Sequence, residues 1–408
     1  MTICVVYNRL CARVFKTVEQ SLKSINLKIL LLSLIFLLGF VLLPLLWEIT
    51  SKTKVGEGDL IGYWSATYLL HNGQNPYDPK LLDSTQHVQM QTGLDYTIMA
   101  WNPPTLFVFL LPLAWLSFTT AKSVMLLMNL IIVLAMSLTL SRLYLLTSNI
   151  RLMLAYMILA MSLPQVISGL YMGQVTFFVF LGLVSSMALI KKGQWFWAGA
   201  VLVLTSIKPH MVILAVIYLL ILMAQHGKFK GWAGLIIAGI VCVIVLFVFR
   251  FSWINDYLGE TAIAPVNWAT PTIGGLLSYL HISEYGKYLI ILFLPLPFLL
   301  ARYQATISME FSVALLTLIT VPATFFGWSY DQIILLIPIA QIFNWTSRLN
   351  HKLFNFWLTI AIISALILNY WQRLLNTNDV YYLWVPLFWC VIFGLTWYLN
   401  STKSTTHE

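Results

Sequence analysis

The strongest constraint on this chain is a succession of apolar stretches, most of them close to the length that crosses a lipid bilayer. A membrane-crossing helix needs about 20 mostly apolar residues. Only 9% of the 408 residues are charged and 60% are hydrophobic, whereas a soluble domain carries about 25% charged residues. Because so few charges cannot cover a water-facing surface, we expect an all-α polytopic membrane protein.

The apolar stretches predict about twelve transmembrane helices in a single domain over residues 27–400, between cytoplasmic tails at 1–26 and 401–408. The predicted spans are 27–47, 122–142, 152–168, 174–190, 195–208, 210–224, 231–250, 286–302, 308–327, 331–346, 354–371 and 383–399. The first span follows a basic tail without a small-residue cleavage site, which is typical of a signal anchor. The short spans 195–208 and 210–224 have an alternative, which is one helix kinked at Lys208-Pro209.

The distribution of charges orients the predicted spans. This topology places 15 of the 23 Lys and Arg residues on the cytoplasmic side, in agreement with the positive-inside rule. It places 11 of the 14 Asp and Glu residues outside. Acidic residues contribute little to insertion, so their concentration outside suggests that the outer face carries the functional site.

Two long segments are predicted to lie outside the membrane. The first extracytoplasmic loop covers 48–121 and the second covers 251–285. The apolar segment 102–118 is short and interrupted by prolines, so we expect an interfacial helix there. Loops of this length in compact proteins are usually functional or disordered, and the aromatic and turn residues of the first loop favour an ordered, functional one.

Glu57 and Asp59 are the first candidates for chemistry, because they follow the first predicted span and precede an amphipathic stretch, Leu60 to Leu70. A carboxylate at the membrane surface can take a proton from a hydroxyl that attacks an electrophile. The alternatives are solvated loop acids or a cap for the helix that begins at Leu60.

Lys208 and His210 lie between two apolar runs. A lysine at membrane depth is costly unless it is paired or hydrated, so Lys208 is a candidate to hold a phosphate, with snorkelling to the interface as the alternative. His210 is a candidate ligand contact or a packed histidine. Gln174 opens a span and could bind a polar ligand or join helices.

Asp331, Arg250 and Trp268 complete the candidates at predicted outer ends. Asp331 could bind substrate or cap the helix that follows it. Arg250 could contact phosphate, although positioning against headgroups is the simpler role. Trp268 would suit stacking on a sugar or anchoring at the interface. The four cysteines form no metal-ligand spacing, and neither a phosphate-binding loop nor a hydrolase motif is present.

An ordered set of short motifs resembles the pattern of a known family. The set is Asp59, Tyr63-Trp64-Ser65-Ala66, Gly73-Gln74-Asn75-Pro76-Tyr77-Asp78, Asn102-Pro103-Pro104, Gly173-Gln174, Ala198-Gly199, Lys208-Pro209 and Trp328-Ser329-Tyr330-Asp331. This order resembles glycosyltransferase family 87, a group with the GT-C fold, over roughly residues 27–345. The specificity lies in the ordered set and not in any single motif.

The resemblance implies a GT-C-like bundle that transfers a sugar, often mannose, from a polyprenyl-phosphate donor on the outer face with inversion. The base would be the acid of the first outer loop, where Asp59 matches best and Glu57 is the rival. The Lys-Pro element of the family falls on Lys208-Pro209. Asn75 and Tyr77, within the matched motif, would contact substrate.

One departure concerns the last motif. Relatives often carry a His before the last outer element, where this chain has Trp328-Ser329-Tyr330.

The expected partners are the lipid bilayer, the lipid-linked donor and a glycan or glycolipid acceptor, with neither a bound cofactor nor a nucleic acid. The expected location is the bacterial inner membrane, with the active site on the extracytoplasmic face.

Two other classes of function compete with an enzyme. A transporter or lipid flippase should show internal pseudo-symmetry, but the halves of this chain do not match and the long first loop has no counterpart. A non-catalytic scaffold would make Asp59 dispensable. We therefore expect a membrane glycosyltransferase.

Overall fold

The protein is helical throughout the part that the computed structural model describes, which is residues 43–89, 95–261, 268–349 and 351–405. The α-helices, numbered in chain order, are α1 (Leu43–Lys52), α2 (Leu60–His71), α3 (Pro79–Ser84), α4 (Thr105–Ala114), α5 (Phe118–Leu143), α6 (Ile150–Ser162), α7 (Pro164–Tyr171), α8 (Thr176–Lys191), α9 (Trp195–Leu202), α10 (Ile213–Gln225), α11 (Phe229–Phe249), α12 (Trp253–Thr261), α13 (Ile273–Tyr279), α14 (Leu296–Arg302), α15 (Met309–Ala323), α16 (Leu336–Leu349), α17 (Lys352–Leu374) and α18 (Trp384–Thr405). Short 3₁₀ segments are Leu146–Ser148, Val203–Ile207, Pro209–Met211, Tyr285–Phe293, Ser329–Leu335 and Asp379–Leu383, and Thr85–Gln89 is a π-helical turn. The predicted all-α class is confirmed for these residues.

Several helices have the length and composition of membrane spans. Five helical segments of the described chain qualify, namely Phe118–Leu143, Phe229–Phe249, Tyr285–Arg302, Lys352–Leu374 and Asp379–Thr402. Together α6 and α7 form a further candidate, bent by 45° at their junction, where Pro164 supplies no backbone N–H. The remaining apolar helices have 10–17 residues. These segments support a multi-pass membrane protein, and the number of twelve spans stays a prediction.

The predicted spans from residue 122 onward coincide with helical segments. The break predicted at Lys208-Pro209 is present, since α9 continues as a 3₁₀ segment to Ile207 and α10 begins only at Ile213. The tail 1–26, most of the first span 27–47 and residues 406–408 lie outside the described residues.

Burial separates a central group of helices from a lipid-facing periphery. Within the centre, α8 packs against α5 and α9. At the periphery, α11 and α17 expose apolar side chains such as Val248 and Ile367, as expected for helices that face lipid. The contact of α9 with α11 is very close, because a Cβ atom on Gly199 would lie 1.7 Å from the Gly231 carbonyl oxygen.

Helix α2 corrects one expectation, because it is buried nearly all around and is not amphipathic. The hydroxyl groups that suggested a polar face form hydrogen bonds within the helix. The Ser65 hydroxyl donates to the Ile61 carbonyl at 2.8 Å, and the Thr67 hydroxyl donates to the Tyr63 carbonyl at 2.6 Å. Hydroxyls that bond within their own helix can be buried at little cost, so α2 lies inside the fold and fixes the residues at its start.

The segment predicted as an interfacial helix contains α4, which packs directly on α2. The second predicted loop contains α12 and α13. The buried side chains of α4 include Leu106, Phe107 and Leu110. Its position in a membrane interface stays a prediction, while its packing helps to hold α2 in place.

Candidate active site

A large cavity lies where the ends of several helical segments meet. It has a volume of about 850 Å³ and is lined by Asp59 at the start of α2, by the break between α9 and α10, and by the turn before α16. Its polar wall contains Asp59, Lys208, Tyr330 and Asp331. Residues that are up to 272 positions apart, from Asp59 to Asp331, are thus brought to one end of the helices.

Asp59 presents its carboxylate to this cavity and is only partly buried. Its Oδ2 atom accepts hydrogen bonds from the Tyr330 hydroxyl at 2.7 Å and from the Gln174 side-chain amide, while the Tyr63 hydroxyl lies 3.5 Å away. Although Asp59 is the first residue before α2, its side chain makes no capping hydrogen bond. The helix-cap alternative for Asp59 is therefore excluded.

Two buried tyrosines act as donors towards Asp59. Burial first, and the neighbouring Asp59 second, raise the pKa of Tyr63 and Tyr330 well above the ordinary value for tyrosine. Both phenols therefore keep their protons. Tyr330 donates to Oδ2, while the Tyr63 hydroxyl lies between Oδ2 at 3.5 Å and Gln174 Oε1 at 3.4 Å. Among the described residues no hydrogen bond reaches Asp59 Oδ1, so this oxygen is available to a molecule in the cavity.

The backbone around Asp59 is fixed by a close approach to the turn after α7. The Gly56 N–H donates to the Tyr171 carbonyl at 2.7 Å, and the Leu60 N–H donates to the Met172 carbonyl at 3.3 Å. Gly173 has a φ of +64°, and a Cβ atom there would lie 2.7 Å from the Leu60 Cβ. Only glycine combines this conformation with this contact, so Gly173 helps to position Asp59.

Glu57 lies two residues before Asp59, but its carboxylate contacts Lys122 and does not face the cavity. Its Oε1 atom accepts from the Lys122 ammonium at 2.8 Å, and Lys122 also donates to the Thr50 carbonyl at 2.8 Å. Lys122 is buried on α5, where an unpaired charge would be costly. Glu57 does not line the cavity, so the structure gives it the role of neutralising Lys122.

Lys208 is buried and fully engaged in the described structure. Its ammonium donates to Asp331 Oδ1 at 2.8 Å, to Gln174 Oε1 at 3.1 Å and to Thr176 Oγ1 at 3.3 Å. It also lies 5.1 Å from the centre of the Tyr330 ring. The snorkelling alternative is excluded because Lys208 is enclosed by these partners, and its charge is balanced by Asp331.

Gln174 connects the acid to the lysine. It is completely buried and absent from the cavity wall. Its amide nitrogen donates to Asp59 and its amide oxygen accepts from Lys208. The backbone carbonyl of Gln174 accepts from Asn129 at 2.9 Å. These contacts favour the alternative that Gln174 joins helices, with the added effect of holding both charged groups in register.

Asp331 serves both of the roles considered for it. Its Oδ1 atom accepts from Lys208, and its Oδ2 atom accepts from the Trp328 N–H at 3.0 Å, which caps the segment Ser329–Leu335. Asp379 supports the same turn, since its Oδ2 atom accepts from the Ser329 N–H at 2.9 Å. The turn that presents Tyr330 and Asp331 is therefore held from two sides.

The remaining predicted site residues fall into two groups. His210 and Trp268 line the cavity, and the Trp268 ring contacts Trp328 with centroids 5.8 Å apart. Asn75 and Tyr77 lie outside the lining. The Asn75 side chain accepts from the Tyr77 N–H at 2.9 Å, and the Tyr77 hydroxyl donates to the Asn102 carbonyl at 3.0 Å.

Arg250 also lies outside the cavity lining. Its guanidinium donates to Asp256 at 2.7 Å and to the Gly73 carbonyl at 3.1 Å. The hydrogen bond that Arg250 donates to Asp256 raises the pKa of Arg250 above its ordinary value. Arg250 thus joins α11 to the first loop, and these contacts compete with any phosphate.

Several residues of the site had no predicted role. Tyr63 lies four positions after Asp59 and therefore on the same face of a helix, which could have identified it. Lys122 at the edge of a predicted span carried the signal of an intramembrane charge. Thr176 and Asp379 had no sequence signal. Within the described residues, no three His, Cys, Asp or Glu side chains come together as a metal site.

These features define a class of protein, namely a multi-pass helical membrane protein with an acid-lined cavity at one end of its helices. The chain matches glycosyltransferase family 87 over residues 101–318, which is 218 of 408 residues and just over half of its length. It belongs to this family and is a glycosyltransferase, as the order of motifs indicated. Comparison with curated proteins and with solved structures gives no match.

The departure at the last motif has a structural counterpart. Where the resemblance led us to expect a His, this chain places Tyr330 against Asp59 at 2.7 Å. A tyrosine can donate to the acid but does not take up a proton near neutral pH. Tyr330 therefore orients the carboxylate.

Proposed function

We propose that the protein is an integral membrane glycosyltransferase that moves a hexose, with mannose favoured, from a polyprenyl-phosphate donor to an extracytoplasmic glycan or glycolipid. The observation that carries the proposal is the Asp59 carboxylate, which faces a cavity of about 850 Å³ with Lys208 on the same wall. Such a cavity has the size typical of small-molecule sites. Membership of the glycosyltransferase family supplies the reaction class.

Asp59 is the general base in this proposal. Its Oδ1 atom takes the proton of the acceptor hydroxyl while that oxygen forms a bond to the anomeric carbon. The bond from this carbon to the lipid phosphate breaks on the opposite face, so the configuration inverts and the phosphate leaves with the electron pair. Tyr330 and Gln174 hold Oδ2 and aim Oδ1 at the cavity. A positioned base contributes about 10²- to 10⁴-fold in rate.

Lys208 stabilises the departing phosphate. Its three ammonium hydrogens are directed at Asp331, Gln174 and Thr176, and the contact with Thr176 is the longest at 3.3 Å. Replacement of this contact by a phosphate oxygen would leave the other two intact. The added interaction then grows as negative charge develops on the leaving group, which is the condition for faster turnover.

The aromatic wall would bind the sugar. Trp101, Tyr257, Trp268 and Trp328 all line the cavity. Aromatic faces pack against the C–H faces of a pyranose while their polar edges remain available for hydrogen bonds. The wall favours a hexose, because it offers broad apolar surfaces beside the two acids Asp59 and Asp331 and the cation Lys208.

The membrane orientation completes the proposal. Asp331 precedes α16, whose other end carries Arg348. Thr176 at the start of α8 contacts Asp331, and the other end of α8 carries Lys191. The positive-inside rule supports the extracytoplasmic face for the cavity, and the proposed membrane is the bacterial inner membrane. A lipid-linked donor would be reachable there.

The experiment compares lipid-linked and surface glycans by mass spectrometry in a deletion strain and after complementation. We expect a truncated glycan in the deletion strain, restored by the wild-type chain and not by Asp59→Asn. Purified protein in nanodiscs should transfer mannose from polyprenyl-phosphate mannose to the truncated glycan. Unaltered glycans in the deletion strain, together with no transfer in nanodiscs, would refute the proposed reaction.

A further inference from the structure

A second cavity lies between α6, α16 and α17, and its volume is about 610 Å³. None of its lining residues lines the cavity at Asp59. One part of the wall is apolar and includes Ile158, Leu159, Ile362 and Leu366. We call this cavity the α6–α17 groove.

The other end of the groove is polar. It is formed by Asn149 before α6, by Ser347 in the last turn of α16 and by Asn355 in the first turn of α17. The side-chain Oδ1 atom of Asn355 is buried and has no hydrogen-bond partner in the described part of the chain. A buried acceptor without a partner is costly, so this end of the groove is suited to a ligand with a hydroxyl or other donor.

Two basic residues stand within one helical turn of residues that line this end. Arg151 lies in the first turn of α6 and Lys352 is the first residue of α17, and both are exposed. The three helices α6, α16 and α17 contain no Asp or Glu. Arg151 and Lys352 therefore meet no acid on the three helices of the groove, which favours an anionic ligand.

The depth of the groove assigns it to a leaflet. Ser347 follows Asp331 by 16 residues along a 3₁₀ segment and α16. At 1.5–2.0 Å per residue this separation is about 25 Å, close to the thickness of a bilayer core at about 30 Å. The polar end of the groove thus lies across the membrane from Asp59, on the side that the positive-inside rule makes cytoplasmic.

We propose that the α6–α17 groove binds one anionic glycerophospholipid from the cytoplasmic leaflet. Its acyl chain lies along the apolar wall, and its phosphate lies near Arg151 and Lys352. A headgroup hydroxyl donates to Asn355 Oδ1. Phosphatidylglycerol has all three features, and the proposal is independent of glycosyl transfer.

The test titrates the purified protein in detergent with phosphatidylglycerol or with phosphatidylcholine of the same chains, and counts bound lipids by native mass spectrometry. Each basic residue near a lipid phosphate contributes about fivefold in affinity. We expect Arg151→Gln/Lys352→Gln to weaken phosphatidylglycerol binding about twentyfold, to the level of phosphatidylcholine. The control Lys192→Gln/Lys230→Gln removes the same charge from exposed residues outside the groove and should leave both affinities unchanged.

A second variant tests the apolar wall. Ala155 lines the groove and is exposed, so Ala155→Phe should fill it without disturbing the core, and should weaken both lipids. Equal affinity of the wild type for both lipids would overturn the proposal, as would equal losses in the two double variants. Displacement of phosphatidylglycerol by a lower concentration of undecaprenyl phosphate would assign the groove to a prenyl chain instead.

Discussion

Asp59→Asn is the most informative perturbation of the site, because the surrounding hydrogen bonds survive it. Both firm contacts of the carboxylate reach Oδ2, from Tyr330 and from Gln174. An asparagine with its oxygen in that position still accepts from both residues, and its amide nitrogen replaces Oδ1. The amide of Gln174 is held in its orientation by Lys208. The substitution therefore removes the basic oxygen and little else.

The expected loss follows from the role of that oxygen. Without a base, the acceptor hydroxyl attacks with its proton in place, and turnover should fall by at least about a hundredfold. This is about 2.7 kcal/mol in the activation free energy. The affinity for the donor should change little, because the lost interaction belongs to the transition state. Thermal stability should also change little, since the contacts of Tyr330 and Gln174 remain.

Glu57→Gln is the matched control, because it removes a charge two residues away by a near-isosteric change. Glu57 neutralises Lys122, which is buried. The glutamine oxygen can still accept a hydrogen bond from the Lys122 ammonium, but loss of the negative charge of Glu57 weakens this contact by about 1–3 kcal/mol. We expect a lower free energy of unfolding with nearly normal turnover of the folded enzyme.

The assay measures transfer from polyprenyl-phosphate mannose in nanodiscs, donor binding and thermal unfolding for both variants. The result that refutes the reasoning is near-normal turnover of Asp59→Asn. Loss of turnover in Glu57→Gln alone would transfer the role of base to Glu57 and would show that the observed Glu57–Lys122 pair is opened during turnover.

Three further predictions concern the site and the topology. Lys208→Met should raise the donor Michaelis constant or abolish turnover in a folded protein, and unchanged kinetics would limit Lys208 to neutralising Asp331. Asp379→Ala removes the acceptor of the Ser329 N–H and should lower turnover about tenfold, since hydrogen bonds to charged groups contribute about 1.5–3 kcal/mol. Asp379→Asn should restore turnover, and an equal loss would exclude this positioning role. Cysteine at exposed Gln74 should react with an impermeant reagent in intact cells, and cysteine at exposed Lys192 only after permeabilisation. The reverse pattern would overturn the topology.

The sequence alone determined the class of fold and the neighbourhood of the site. Composition decides which solvent a surface can face, so 9% charged residues sufficed to predict a helical membrane protein. Local patterns also placed the helical segments and the break at Lys208-Pro209, because apolar run length and proline act within a few residues. The order of motifs indicated the family. The amphipathic character predicted for Leu60–Leu70 was wrong, because hydroxyls that bond within their own helix resemble a water-facing surface in the sequence.

The resemblance favoured Asp59 over Glu57, but only the tertiary structure supplied a physical difference between the two acids. Glu57 and Asp59 are two residues apart, and local sequence gives either of them the same chance to face substrate. Helix packing decided between them, since it places Lys122, 65 residues away, against Glu57 and leaves Asp59 at the cavity. The acidic partner of Lys208 is likewise distant in the sequence, because Asp331 lies 123 residues away. Contacts of this range depend on how whole helices pack, and hydrophobic periodicity carries no information about which polar side chains then meet.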